Sequence, residues 1–141
     1  MASTLPPQLT DSTPYLLTRA VRKASRLAAP HFAAEPLRFP HYVTLCWAAH
    51  LDGATQRELA GAMDADPSDL VTVLAALEDA GLLTRTPDPA DRRRNLLAVT
   101  AAGHAWLTDR HARARAYDAA LCATTPDDGD DLRAQLRALL A

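Results

Sequence analysis

LAGAMDADPSDLVTVLAALEDAGLLTRTPDPADRRRNLLAVTAAG, residues Leu59–Gly103, is the stretch on which the reading of this chain turns. Just ahead of it, Thr55-Gln56-Arg57-Glu58 opens a helix: a capping threonine with glutamate three residues on satisfies two orphan backbone donors reciprocally. Leu59, Ala60 and Met63 then share one face of that helix. Asp66-Pro67 opens a second helix, with an acceptor at the cap and proline at the first helical position. Leu70, Val73, Leu74 and Leu77 recur at three- and four-residue spacing, the mark of a buried stripe. Gly81 stops the helix. Leu82–Arg85 reads as a strand and Leu96–Val99 as its return. Between them Thr86–Asn95 holds two prolines, two aspartates and three successive arginines, a polar loop. Thr100 caps a further helix.

Two helices joined by a tight turn and followed by a basic hairpin make a winged helix. The fold class is therefore mostly α with a small β-hairpin wing. The physical logic points to duplex DNA, since a helix fits the major groove and a thin loop carrying arginine enters the minor groove. The wing candidates are Asp91, Arg92, Arg93 and Arg94, whose guanidinium groups suit phosphate or the minor groove. On the second helix the outward positions include Ser68, Asp69, Val71, Thr72, Ala75 and Ala76. Ser68 and Thr72 are the candidate base contacts, with Asp69 beside them. Arg57 and Arg85 flank this helix in the chain and complete the set. No Lys or Arg lies between them, and Asp66, Asp69, Glu78 and Asp79 make the helix acidic. Asp66 and Asp69 suit the helix start as caps. Carboxylates facing phosphate repel it, although one can accept from the cytosine amino group.

The runs Leu77-Glu-Asp-Ala-Gly-Leu-Leu83, Asp88-Pro-Ala-Asp-Arg-Arg93 and Val99-Thr-Ala-Ala-Gly103 resemble the MarR family of bacterial transcription regulators. The resemblance is specific over about residues 55–103, and helical pattern extends it over nearly the whole chain. It implies that Arg93 reaches the minor groove and that Asp91 orients it, with Arg92 and Arg94 on phosphate. It also implies a homodimer built by helices within 11–30 and 101–141, around a DNA-binding region at 37–100. A two-fold dimer reads pseudo-palindromic DNA. Repression is the commoner mode in the family, and the resemblance implies a small aromatic effector held near the helix at 41–50. Phe39, His41, Tyr42, Trp47 and His50 are the candidate ligand residues. The same residue types also suit a core with surface histidines.

The 141 residues suffice for one domain with a real core, and 48% are hydrophobic. Formal net charge is −2, so no global basic field advertises nucleic acid and any DNA contact must come from a local patch. No apolar run is long enough to span a bilayer, and the N-terminus lacks the basic-then-apolar pattern of a secretory signal. A soluble, cytoplasmic protein is the expectation.

Elsewhere the pattern is helical. Residues 1–10 read as a flexible lead-in. From about Asp11, Leu17, Ala20, Val21, Ala24, Leu27 and Ala28 form an apolar face, with Arg19, Arg22, Lys23 and Arg26 largely off it as a solvated, basic stripe. Pro30 ends this helix, and His31–Pro40 is irregular or a broken helix. His41–His50 is a bulky, buried helix ended by Asp52-Gly53. A long helix runs from Thr100 to about Ala123, and Thr125-Pro126-Asp127-Asp128 starts the last one. Its Leu132, Leu136, Leu139 and Leu140 line one side and require a partner helix.

Enzyme chemistry has no positive support. The five glycines are dispersed and form no phosphate loop, and no nucleophile elbow or metal-hydrolase helix is present. His31, His41, His50, His104 and His111 are scattered without a paired ligand motif, so neither a metal nor another cofactor is expected. Cys46 lies in the apolar helix and reads as core, Cys122 as a residue near the dimer interface. One reading from another class stands beside DNA binding: the acidic helix and negative net charge also fit a winged-helix protein-interaction or assembly module.

Overall fold

The computed structural model describes residues 5–32 and 36–141. In chain order the elements are α1 (Pro7–Thr10), α2 (Thr13–Ala28), α3 (Phe39–Leu51), α4 (Gln56–Ala62), α5 (Pro67–Asp79), β1 (Leu83–Pro87), β2 (Asn95–Val99), α6 (Ala101–Cys122) and α7 (Asp130–Leu140). They form two compact units, one of residues 32–114 and one of residues 1–31 with 115–141.

In the first unit, α4 and α5 form the helix-turn-helix. Thr55 Oγ1 accepts from the Glu58 backbone N–H while Glu58 Oε2 accepts from Thr55 N, completing the capping box that the sequence announces. Leu70, Leu74 and Leu77 of α5 are buried with Leu45 of α3, Leu59 of α4, Leu83 of β1 and Leu97 of β2. Removing these side chains from water supplies the main driving force for this unit, about 25 cal/mol per Å² of apolar surface. The strands pair antiparallel from Leu83↔Val99 to Pro87↔Asn95. The segment before α4 adds a third edge: Leu97 N–H donates to Ala54 O (2.8 Å), and Thr55 bridges Leu96. Thr100 Oγ1 donates to Gly81 O (2.7 Å) and accepts from Gly103 N (3.0 Å), tying the start of α6 to the end of α5. Gly103 has a packing reason: a Cβ there would run into Leu82 O and the Val99 side chain.

In the second unit, Tyr117 donates its hydroxyl hydrogen to Ala24 O (3.0 Å), joining α6 to α2. Arg133 of α7 donates to Asp118 Oδ2 (2.8 Å) and Asp130 Oδ1 (2.6 Å). Neither α2 nor α7 has a fully buried residue, and Leu16, Val21, Leu132, Leu139 and Leu140 are exposed.

Several boundaries differ from the sequence reading. The lead-in contains α1, started by Pro7 at a position where its missing N–H costs nothing; residues 1–4 lie outside the described set. Helix α2 begins at Thr13, and α3 begins at Phe39 because the His41 ring nitrogen accepts from Arg38 N and caps it. The expected irregular stretch His31–Pro40 lies partly outside the described residues, which omit 33–35. Both strands are longer than expected and take in Thr86, Pro87 and Asn95. Thr125–Asp128 does not start α7: Thr125 Oγ1 turns back to Cys122 O, and Gly129 at φ +88° breaks the chain before Asp130. Asp127 instead serves the new helix, accepting from Gly129 N and Asp131 N.

Candidate DNA interface

The interface is built on α5 and the hairpin β1–β2. Burial of Leu70, Leu74 and Leu77 turns the opposite side of α5 to solvent, so Ser68, Asp69, Val71, Thr72 and Ala75 are exposed. Asp66 caps the helix, accepting from Ser68 N (2.8 Å) and from the Ser68 hydroxyl (2.6 Å). These hydrogen bonds, the hydroxyl's first, hold the Asp66 carboxyl below its ordinary range. Thr72 is free of such a bond among the described residues, whereas Ser68 is already engaged in the cap.

The wing tip is shaped by its own aspartates. Asp88 N–H donates to Arg94 O and Arg94 N–H to Asp91 O, both at 2.9 Å. Asp91 Oδ1 accepts from Arg93 N (3.0 Å), so this aspartate fixes the backbone from which Arg93 projects. Arg92 and Arg93 are exposed, and no carboxylate among the described residues pairs with either. The other arginines differ. Arg94 donates to Glu58 Oε1 (2.9 Å), with Asp88 at 3.9 Å. Arg85 donates to Glu78 Oε2 and Gln56 Oε1, both at 2.9 Å. Arg57 is exposed. Thr55, Gln56, Arg57, Glu58, Arg85, Arg94 and Asn95 line an open cleft of about 720 Å³ between the start of α4 and the wing.

Sequence reading missed Gln56, Glu58 and Asn95 as members of this surface. Glu58 had a visible signal, but it was that of a helix cap, and the same carboxylate serves both purposes. Its two hydrogen bonds from Thr55, with Arg94 adding, hold its carboxyl below the ordinary value.

The candidate ligand residues separate into groups. Phe39 and Tyr42 join Phe32 and Trp106 in an aromatic cluster with ring centroids 5.1 to 6.5 Å apart. Tyr42 also lines a cavity of about 330 Å³ with Cys46, Leu107, Thr108 and His111, and its hydroxyl lies 3.4 Å from His111 Nδ1. His41, Trp47 and His50 do not line that cavity. His41 is spent on the helix cap and its pKa is lowered, chiefly by burial. Trp47 and His50 instead pair edge to face at 6.0 Å. Cys46, read as core, borders the cavity, and burial pushes its thiol pKa up. Cys122 is buried, 3.9 Å from an Arg133 nitrogen. No group of three potential metal ligands occurs among the described residues, and no helix among them is long and apolar enough to cross a membrane.

A helix-turn-helix with an exposed second helix, beside a hairpin tipped by exposed arginines, defines a winged-helix protein of the nucleic-acid-binding class. Residues 37–94 match the model of the MarR family. The chain is similar to the HTH-type transcriptional repressor NicR of Pseudomonas putida, 32% identical over 105 residues that cover 69% of this chain and 66% of that one. Among solved structures it is similar to CouR of Rhodococcus jostii bound to p-coumaroyl-CoA, at 32% identity, covering 96% of this chain and 93% of that one with a TM-score of 0.78. It is also similar to the transcriptional repressor CouR bound to a 23-mer DNA duplex, at 26% identity, covering 99% and 100% with a TM-score of 0.85. The chain belongs to the MarR family of transcriptional regulators. The matched segments span 33% and 66% of the lengths of two curated relatives.

Proposed function

We propose that this protein is a cytoplasmic, ligand-responsive transcriptional repressor that binds pseudo-palindromic promoter DNA as a homodimer. The observation that carries the reading is the pair Arg92 and Arg93, exposed and without a carboxylate partner among the described residues, at a wing tip whose backbone Asp91 fixes. Arg93 enters the minor groove and Arg92 meets phosphate, while Ser68, Asp69 and Thr72 of α5 face base edges in the major groove. Helices within 11–30 and 101–141 form the dimer, which covers the exposed leucines of α7. Repression follows from occupying the promoter, and no reaction is assigned to the chain.

CouR is seen with p-coumaroyl-CoA, and a small aromatic effector suits the cavity at Tyr42, Cys46 and His111 beside the aromatic cluster. Such a ligand acts only by binding two dimer geometries unequally.

The test is selection of bound sequences from a random duplex pool at two salt concentrations. A palindromic motif bound with salt-sensitive affinity is expected, and lost on Arg93→Ala. A folded dimer that enriches nothing at low salt, after unfolding and refolding to strip any ligand, overturns the reading. The acidic α5 favours a second reading in that event, a protein-interaction module, in which Arg93→Glu leaves function intact.

A further inference from the structure

We propose that Glu58 competes with a DNA backbone phosphate for Arg94, so that each half-site binds DNA through a cleft already holding a carboxylate. The inference rests on the DNA-binding reading and adds a residue that tunes it.

The Glu58 carboxylate is fully engaged. One oxygen accepts from both the backbone N–H and the hydroxyl of Thr55, at 2.8 Å each. The other accepts from Arg94 at 2.9 Å. Arg57, Arg85, Arg94 and Asn95 line the same cleft, giving it several donors suited to an anion. Arg85 is held elsewhere, by Glu78 and Gln56, which leaves Arg94 as the guanidinium hydrogen-bonded to Glu58, with Asp88 farther off at 3.9 Å. Both members of this pair are half exposed. An exposed pair is held weakly, so a phosphate arriving beside the wing can exchange with the carboxylate. That exchange has a consequence for salt dependence. To the extent that Glu58 keeps Arg94, that arginine neutralises no phosphate and releases no counterion, whereas an arginine freed of the carboxylate does both. Glu58 therefore lowers the affinity of every sequence alike and leaves discrimination to α5.

The experiment is fluorescence anisotropy with the duplex recovered by selection, across a salt series, for the wild type and three variants. Glu58→Gln keeps an oxygen to cap Thr55 and removes the charge. It is expected to tighten binding of the dimer by about tenfold, combining a gain of roughly threefold at each half-site. The log–log salt slope should steepen by up to about 1.8, or about 0.9 for each newly committed phosphate contact. Arg94→Gln alone should weaken binding only about twofold, because the arginine is already occupied. In Glu58→Gln/Arg94→Gln the tenfold gain should vanish.

An unchanged or weaker affinity in Glu58→Gln, with its melting temperature intact, overturns the proposal. So does a gain that persists in the double variant, which would reflect removal of a charge without any part for Arg94. Either result leaves the DNA-binding reading standing, because the wild type binds its duplex. A wild type that binds no duplex at low salt overturns that reading, and this inference falls with it.

Discussion

The two elements that face DNA in this reading are opposites in charge. Helix α5 carries no basic residue over Pro67–Asp79, while the wing and its strands carry Arg85, Arg92, Arg93 and Arg94. The contrast divides the labour. On the proposed function, attraction to the duplex, which depends on phosphate charge, comes from the wing and the cleft beside it. Helix α5 offers only Ser68, Asp69, Val71, Thr72 and Ala75, which supply hydrogen bonds and apolar contact at short range. Even on the basic side only part of the charge is available, since Arg85 and Arg94 already have carboxylate partners. A net charge of −2 is thus compatible with DNA binding by a few exposed guanidinium groups.

The strongest attack on this division is Arg93→Glu. Reversing the one charge that the wing aims at the minor groove should lower DNA affinity by on the order of a hundredfold and flatten the salt slope. Filter binding or anisotropy at two salt concentrations reads both effects, and a loss below threefold would place the main attraction elsewhere. Thr72→Ala should act differently. It is expected to cost about tenfold on the preferred duplex, to cost little on unrelated DNA and to leave the salt slope unchanged. An equal loss on both duplexes would mean that α5 does not read bases. Asp69→Lys adds the charge that α5 lacks and should raise affinity for unrelated DNA several-fold, reducing the ratio of specific to non-specific binding.

The smallest effect concerns the acid dependence of α5 itself. The Asp66 carboxyl lies below its ordinary value because it accepts from Ser68. A depressed folded-state pKa means that the cap contributes stability above the unfolded value near 3.8 and loses it as pH falls through the lower folded value. Replacing Asp66 by Ala should lower the melting temperature by a few degrees at pH 7 and by less at pH 3. An equal shift at both pH values would exclude a charged cap. Glu58 and Asp127 have the same sign of shift, and each loses its contribution as pH falls below its own ordinary value and through its lowered one.

Much of the first unit was legible in local pattern. The Thr55/Glu58 box, the Asp66-Pro67 start, the leucine stripe and the stop at Gly81 each involve residues a few positions apart, and each works in the structure as its chemistry dictates. Misreadings arose where a local signal had two uses or two competitors. Thr125 resembled a cap, but its hydroxyl bonds backward to Cys122 and Asp127 takes the role. The His41 ring nitrogen caps α3, a use that its place among the candidate ligand residues did not disclose. Of the residues grouped by aromatic character, Tyr42 reaches the cavity, while Trp47 and His50 turn to each other.

By itself, then, the sequence determined the helix-turn-helix and hairpin elements, the caps of α4 and α5 and the arginine-bearing loop. These follow from side-chain periodicity and from hydrogen bonds within one turn of chain. Only the tertiary structure decided which arginines are left for a partner. Arg94 meets Glu58 across 36 positions and Arg85 meets Gln56 across 29. Such pairs exist only after the hairpin has docked beside α4. Pairing of long side chains on a surface depends on that docking geometry, and on no pattern that neighbouring residues can carry.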